Sequence, residues 1–80
     1  MSVTVLLFAS YADALGTSRL TLDVNDGATV SDVLGRLRDR SGAHTLPPKP
    51  LVAVNEHYAS ATQALRAGDT VAIIPPVAGG

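Results

Sequence analysis

The sequence contains one well-marked amphipathic helix, with strand-like segments on both sides of it. Four apolar residues fall on a single stripe at helical spacing, namely Val30, Val33, Leu34 and Leu37. Thr29 precedes the stripe as an N-cap residue, and Asp32 completes a capping-box pattern three positions later. Gly42 predicts the end of the helix. One helix can cover only one face of a sheet, so the opposite face of a sheet packed against it is left uncovered by that helix.

Strand-like segments flank this helix. Residues 3–9 (VTVLLFA) are rich in β-branched and large apolar residues, and residues 19–24 (RLTLDV) alternate between apolar and polar. Two further strands are predicted at residues 51–55 and 70–74, with a brief returning strand at residues 57–58. The order predicts an α+β roll, in which a mixed four- to five-stranded sheet curls around one main helix. The first two strands would form a hairpin, and the first and last would lie parallel in the centre.

The second face of this sheet is predicted to be apolar. Strand alternation leaves Leu6, Phe8, Ala72 and Ile74 on the face away from the helix, with Leu51 and Ala53 beside them. A sheet with one wetted face normally carries polar residues there. Scattered apolar side chains are ordinary on any surface. Four of them on adjacent central strands instead favour a docking patch for another protein.

Composition narrows the classes of function. Eighty residues, 46% of them apolar and 16% charged, predict one small folded domain. The net charge of −1 gives no indication of a basic surface that would bind nucleic acid. The absence of cysteine excludes disulfides and thiolate chemistry. His44 and His57 lack the carboxylate spacing of a metal site, so no metal is expected. No segment is long enough to span a membrane, and without a basic, signal-like start the expected compartment is the cytoplasm.

The chain ends on PPVAGG directly after its last strand. This divides it into a domain of residues 1–74 and an extended tail of residues 75–80. Two prolines favour a stiff, unpaired backbone, and six residues reach about 20 Å. Gly79 and Gly80 lack side chains, so the end could enter a narrow channel, and its carboxylate becomes a reactive acyl group once joined to AMP. Many glycine-rich termini are only frayed ends. Here a strand is followed in order by two prolines, two small residues and two glycines, and this order favours a functional tail.

Three segments resemble the MoaD family, the small subunits of molybdopterin synthase among the ubiquitin-like β-grasp sulfur carriers. They are VTVLLFASYADALG, AVNEHY and LRAGDTVAIIPPVAGG. The ending is the most specific, since it is similar to the family pattern GDEVAFFPPVxGG. The likeness covers essentially the whole chain and implies the β-grasp fold. One departure is the pair Ala12 and Asp13, where the family often has Arg-Glu.

The resemblance also implies a mechanism. A MoeB-like, E1-type activating enzyme would use ATP with Mg to adenylate the carboxylate of Gly80, which then carries sulfur as a thiocarboxylate. Gly79 would thread a channel in a MoaE-like large subunit within a heterotetramer, and sulfur would pass to cyclic pyranopterin monophosphate. General acid or base groups would come from the large subunit, and no cofactor would stay bound to this chain. The implied partner-binding residues are Leu6, Phe8, Ala72, Ile74, Pro75, Pro76, Val77 and Ala78.

Other functions use the same tail chemistry. The chain could carry sulfur for thiamin, cysteine or a thiolated tRNA base. It could instead be a ubiquitin-like modifier that forms isopeptide bonds on target lysines, although Lys49 is its only lysine for building chains on itself. The plainest alternative is a binding domain with an inert tail.

Overall fold

The computed structural model describes residues 1–40, 42, 44 and 46–76, which form a five-stranded mixed sheet and two helices. In chain order the elements are β1 (Ser2–Leu7), α1 (Ala9–Leu15), β2 (Arg19–Asp23), α2 (Val30–Arg38), β3 (Leu51–Val54), β4 (His57–Tyr58) and β5 (Thr70–Ile74). The strand order is β2-β1-β5-β3-β4, with β1 and β5 parallel and the other neighbours antiparallel. The predicted α+β roll, its hairpin and its parallel central pair are confirmed.

Helix α2 begins as its sequence predicts. Thr29 Oγ1 accepts a hydrogen bond from the Asp32 backbone N–H, and an Asp32 carboxylate oxygen accepts one from the Thr29 N–H at 2.8 Å. The first helical N–H groups, those of Val30 and Ser31, donate to the carbonyls of Gln63 and Ala61 at 3.0 and 2.9 Å. Cap and neighbouring segment together satisfy donors that a helix start otherwise leaves unpaired.

The predicted end of α2 is wrong, because the helix stops at Arg38 rather than running to Gly42. The Asp39 and Arg40 N–H groups donate to Arg36 and Leu37, three residues back, which tightens the last turn and closes the helix. Gly42 lies further on with φ +87°, in a turn packed against the Ala14 carbonyl. A side chain there would collide with that carbonyl.

The core lies between α2 and the sheet face that it covers. Val3, Val5 and Leu7 of β1 and Val71 and Ile73 of β5 are at most 1% exposed. The predicted helix stripe, Val30, Val33, Leu34 and Leu37, is buried against them.

Helix α1 closes one end of this core. The strand predicted over residues 3–9 ends at Leu7, and Ala9–Leu15 form a seven-residue helix instead. Its Tyr11 is buried in the core cluster, and its C-cap Gly16 adopts a left-handed φ of +77°. Among the described residues, neither helix combines the length and apolar content that crossing a membrane requires.

Candidate functional site: the outer face of the sheet

The sheet face turned away from α2 is here called the outer face. Its central row runs across all five strands at matching register: Arg19, Leu6, Ala72, Ala53 and Tyr58. Leu51 is paired with Ile74 in the next row, and Phe8 follows the end of β1 on the same side. The structure therefore brings together the apolar residues that the sequence placed on the bare face.

The outer face is polar at one end and apolar at the other. Thr4 pairs with Thr21 on one side and Thr70 on the other, which gives a row of three threonines. Phe8 and Leu51 mark the opposite end and are 46% and 49% exposed. Such large exposed side chains beside Leu6 and Ile74 form a contiguous apolar area rather than scattered surface residues.

A shallow depression of about 620 Å³ lies on this face. Its lining comprises Leu6, Phe8, Ala53, Asn55, Glu56, Tyr58, Thr70, Ala72 and Ile74. The depression exists because β5 and β3 contribute only the small side chains of Ala72 and Ala53 at its centre. Larger side chains surround these two alanines.

The tail begins at the apolar end of the outer face. Ile74 is the last residue of β5 and is held by its pairing with Leu51. Pro75 and Pro76 follow outside the sheet, and their lack of an N–H prevents β5 from extending its ladder. Val77, Ala78, Gly79 and Gly80 lie outside the described residues, so the predicted roles of these four stay predictions.

The rims of the outer face are charged. Arg19 is exposed on the β2 side, and Glu56 is exposed in the β3–β4 turn on the other side. Asn55 and Glu56 both adopt left-handed φ values, +51° and +72°, as a tight two-residue hairpin turn requires. Asn tolerates this region well, whereas Glu56 adopts it at a conformational cost.

A hydrogen-bonded clasp holds this turn to the start of β5. The Asp69 carboxylate accepts hydrogen bonds from the Arg66 backbone N–H at 2.8 Å and from Asn55 Nδ2 at 2.9 Å. These two donors hold the pKa of Asp69 below its usual value. Asn55 Oδ1 in turn accepts from the Thr70 N–H at 2.9 Å. The clasp fixes the polar end of the outer face.

Tyr58 and Glu56 line the depression but were not among the site residues predicted from the sequence. Tyr58 lies on β4, the edge strand of the sheet, and its side chain is 74% exposed beside the depression. Strand alternation alone did not reveal this, because it depends on the register of β3 and β4, in which Ala53 faces Tyr58. His57 and His44 are exposed, and the described residues contain no group of side chains that could hold a metal ion.

A small β-grasp globule whose last strand leads into a glycine tail defines the class of ubiquitin-like carrier proteins. The model of the ThiS family matches residues 5–80. The chain is 37% identical to the molybdopterin synthase sulfur carrier subunit of Drosophila erecta, over all of this chain and 92% of that one. It therefore belongs to the ThiS family, and the predicted assignment to the sulfur carriers is confirmed.

Solved structures share the fold. The small archaeal modifier protein 1 of Haloferax volcanii superposes with a TM-score of 0.85 at 29% identity, over 95% of this chain and 98% of that one. A chain from the complex of subunits 1 and 2 of the molybdopterin-converting factor of Helicobacter pylori gives a TM-score of 0.76 at 22% identity, over the full length of both chains. The β-grasp prediction is confirmed by these likenesses.

Proposed function

We propose that this chain carries sulfur as a thiocarboxylate on Gly80 and donates it to cyclic pyranopterin monophosphate in molybdopterin synthesis. The observation that carries the proposal is the continuity between the outer face and the tail. Ile74 belongs to both the apolar patch and the strand that leads into Pro75. A partner seated on the patch would thus stand next to the point where the tail leaves the sheet.

The chemistry proceeds in two steps on the terminal carboxylate. A carboxylate oxygen of Gly80 attacks the α-phosphorus of ATP on an activating enzyme, and pyrophosphate leaves. Hydrosulfide then attacks the acyl carbon and AMP leaves, which gives the thiocarboxylate once the sulfur loses its proton to solvent. Glycine suits both steps because no side chain crowds the carbonyl. ATP and its Mg belong to the activating enzyme, and we place the reaction in the cytoplasm, where ATP is available.

The patch supplies binding rather than catalysis. Leu6, Phe8, Ala72 and Ile74 would dock on a large subunit. The complex of subunits 1 and 2 of the Helicobacter pylori molybdopterin-converting factor supports a partner of this kind. Pro75 and Pro76 would then direct Val77, Ala78 and Gly79 toward the partner's active site. The acid and base groups of sulfur transfer are assigned to that partner.

The decisive test is intact-mass measurement. After incubation with a MoeB-like activating enzyme, Mg-ATP and a sulfur donor, the chain should gain about 16 Da, one oxygen replaced by sulfur on the acyl carbon. The variant lacking Gly80 is the matched control and should keep its mass. An unchanged mass in the complete mixture would overturn the proposal. Subsequent sulfur transfer with a MoaE-like subunit identifies the acceptor.

A second candidate is a protein modifier. It is favoured by the likeness to the small archaeal modifier protein over 95% of this chain. In that case Gly80 would form stable amide bonds with lysines of other proteins. Covalent adducts that survive thiols and denaturant would support the modifier, whereas a thiocarboxylate without adducts would support the sulfur carrier.

A further inference from the structure

The outer face carries large side chains on one side of β5 and a small one in the same row on the other side. On one side, β1 contributes Leu6 and, at its end, Phe8. On the other side, β3 contributes the small Ala53 in the same row. Because β1 and β3 both hydrogen-bond to β5, these two rows lie at equal distances of about 4.8 Å from it. The face therefore has a ridge and a depression placed symmetrically about its central strand.

Such a surface is complementary to itself. In a face-to-face pair related by a two-fold axis along β5, the outer side of β1 in each copy would lie over β3 of the other. Leu6 would enter the depression over the second copy's Ala53, and Ala72 would face its own equivalent on the axis. Phe8 would reach toward Leu51 by the same rotation. Ridge and depression fit in both directions at once.

The charges on the rims agree with this arrangement. The two-fold axis carries Arg19, at one end of the central row, onto Tyr58 at the other end. A guanidinium over a tyrosine ring is favourable, and Glu56 beside that ring adds an opposite charge. Asp23, the acidic residue of β2, lies four positions from Arg19 and accepts a hydrogen bond from Ser2 at 3.0 Å.

We propose that the free protein forms a reversible homodimer through its outer face, with the two-fold axis along β5 and Arg19 of each copy on Tyr58 and Glu56 of the other. Five strands span about 19 Å and the paired rows about 17 Å. The dimer would bury on the order of 650 Å² in total, below the roughly 1,200 Å² of stable interfaces. It is therefore weak, and a partner with a larger interface on this face displaces it.

Sedimentation equilibrium at protein concentrations from about 10 μM to 1 mM tests the association, because this range covers the dissociation constants of weak complexes. The expected result is a monomer–dimer equilibrium whose dissociation constant rises at least about tenfold in Arg19→Glu. Arg40→Glu, the same charge change at an exposed site beyond α2, should leave it unchanged. The double variant Arg19→Glu with Glu56→Arg should restore association. A monomeric wild type at 1 mM, or a dimer insensitive to Arg19→Glu, would overturn the proposal.

Cross-linking tests the axis. The natural chain has no cysteine, so Ala72→Cys places one thiol where the two copies face each other. A short bis-maleimide should join this variant into a dimer much faster than Arg40→Cys, and equal rates would contradict the axis along β5. Neither experiment uses the tail or its activation, so their failure is separate from failure of the sulfur-carrier proposal.

Discussion

Leu51 lies directly opposite Ile74 in the antiparallel pair of β3 and β5. This pairing holds β5 to its last residue, so the point where the tail begins is fixed relative to the outer face. A partner that recognises the face consequently recognises the position of the tail as well.

Changing the length of the tail by one residue should abolish sulfur transfer without affecting folding. Deleting Gly80 removes the acyl group that is activated, and adding Ala after Gly80 moves a side chain into the position that requires none. The last paired residue is Ile74, so the thermal midpoint of both variants should match that of the natural chain. Thiocarboxylate formation by mass and transfer with the large subunit are the measurements. Transfer by the truncated chain would refute the role of Gly80.

Phe8→Asp should weaken partner binding without lowering stability. Phe8 is the N-cap residue of α1 and makes no side-chain cap bond, although its backbone is extended as a cap requires. Asp at this position can accept from the first-turn N–H groups, so unfolding free energy should stay equal or rise by up to about 1 kcal/mol. Burying its charge in the interface should reduce affinity at least about tenfold.

Calorimetric titration with the large subunit measures the affinity for Phe8→Asp. Thr21→Asp is the control, since it places the same charge on the polar end of the same face. Its affinity should change less than about threefold. Equal losses in the two variants would mean that general charge repulsion, rather than the apolar end, controls binding.

Gly35→Ala should stabilise the protein by about 1 kcal/mol, because glycine inside a helix is unfavourable. Gly35 lies within α2, and a β-carbon there would meet nothing within 4 Å. Gly42→Ala should have the opposite sign, because φ is +87° and the added carbon would collide with the Ala14 carbonyl. Urea unfolding of both variants provides the comparison. A loss of stability in Gly35→Ala would contradict the open surroundings of that residue.

Asp69→Ala should lower the free energy of unfolding at neutral pH. It should also make that free energy less dependent on pH in the acid range. The pKa of Asp69 is lower in the folded protein than in the unfolded chain, so its contribution is complete above about pH 4. The contribution disappears as pH falls through the folded-state pKa. The site is largely solvated, so the loss at pH 7 should be about 1 kcal/mol.

Urea unfolding from pH 7 to pH 2.5 checks this prediction. The difference between Asp69→Ala and the natural chain should shrink as the pH falls. Asp13→Ala, which removes an exposed carboxylate on α1, should show a smaller effect. A constant difference across the range would mean that the ionised carboxylate is not what closes the clasp.

The sequence predicted the fold best where a strong local signal agrees with burial. The capping box at Thr29 and the alternation that buries Val71 and Ile73 were sufficient to place α2 and β5. Helix α1 was harder, because its seven residues are too few for a clear periodicity. Its buried Tyr11 is fixed by long-range packing that no short window of sequence records.

The candidate site was only partly visible for the same reason. Strand alternation placed Leu6 and Ile74 on one face without knowledge of the register. The depression over Ala53 depends on how β3 aligns with β5, and the alternation within a single strand does not contain that alignment. The conformations of Asn55 and Glu56 follow from the hairpin turn rather than from any preference of glutamate for positive φ.

The central position of β5 also has a mechanical consequence. An enzyme that pulls on the tail applies force along a strand bonded on one side to β1 and on the other to β3. Tension in that direction loads both ladders in shear, so many hydrogen bonds resist together instead of opening one after another. The globule can therefore be drawn by its end toward an active site and still arrive folded.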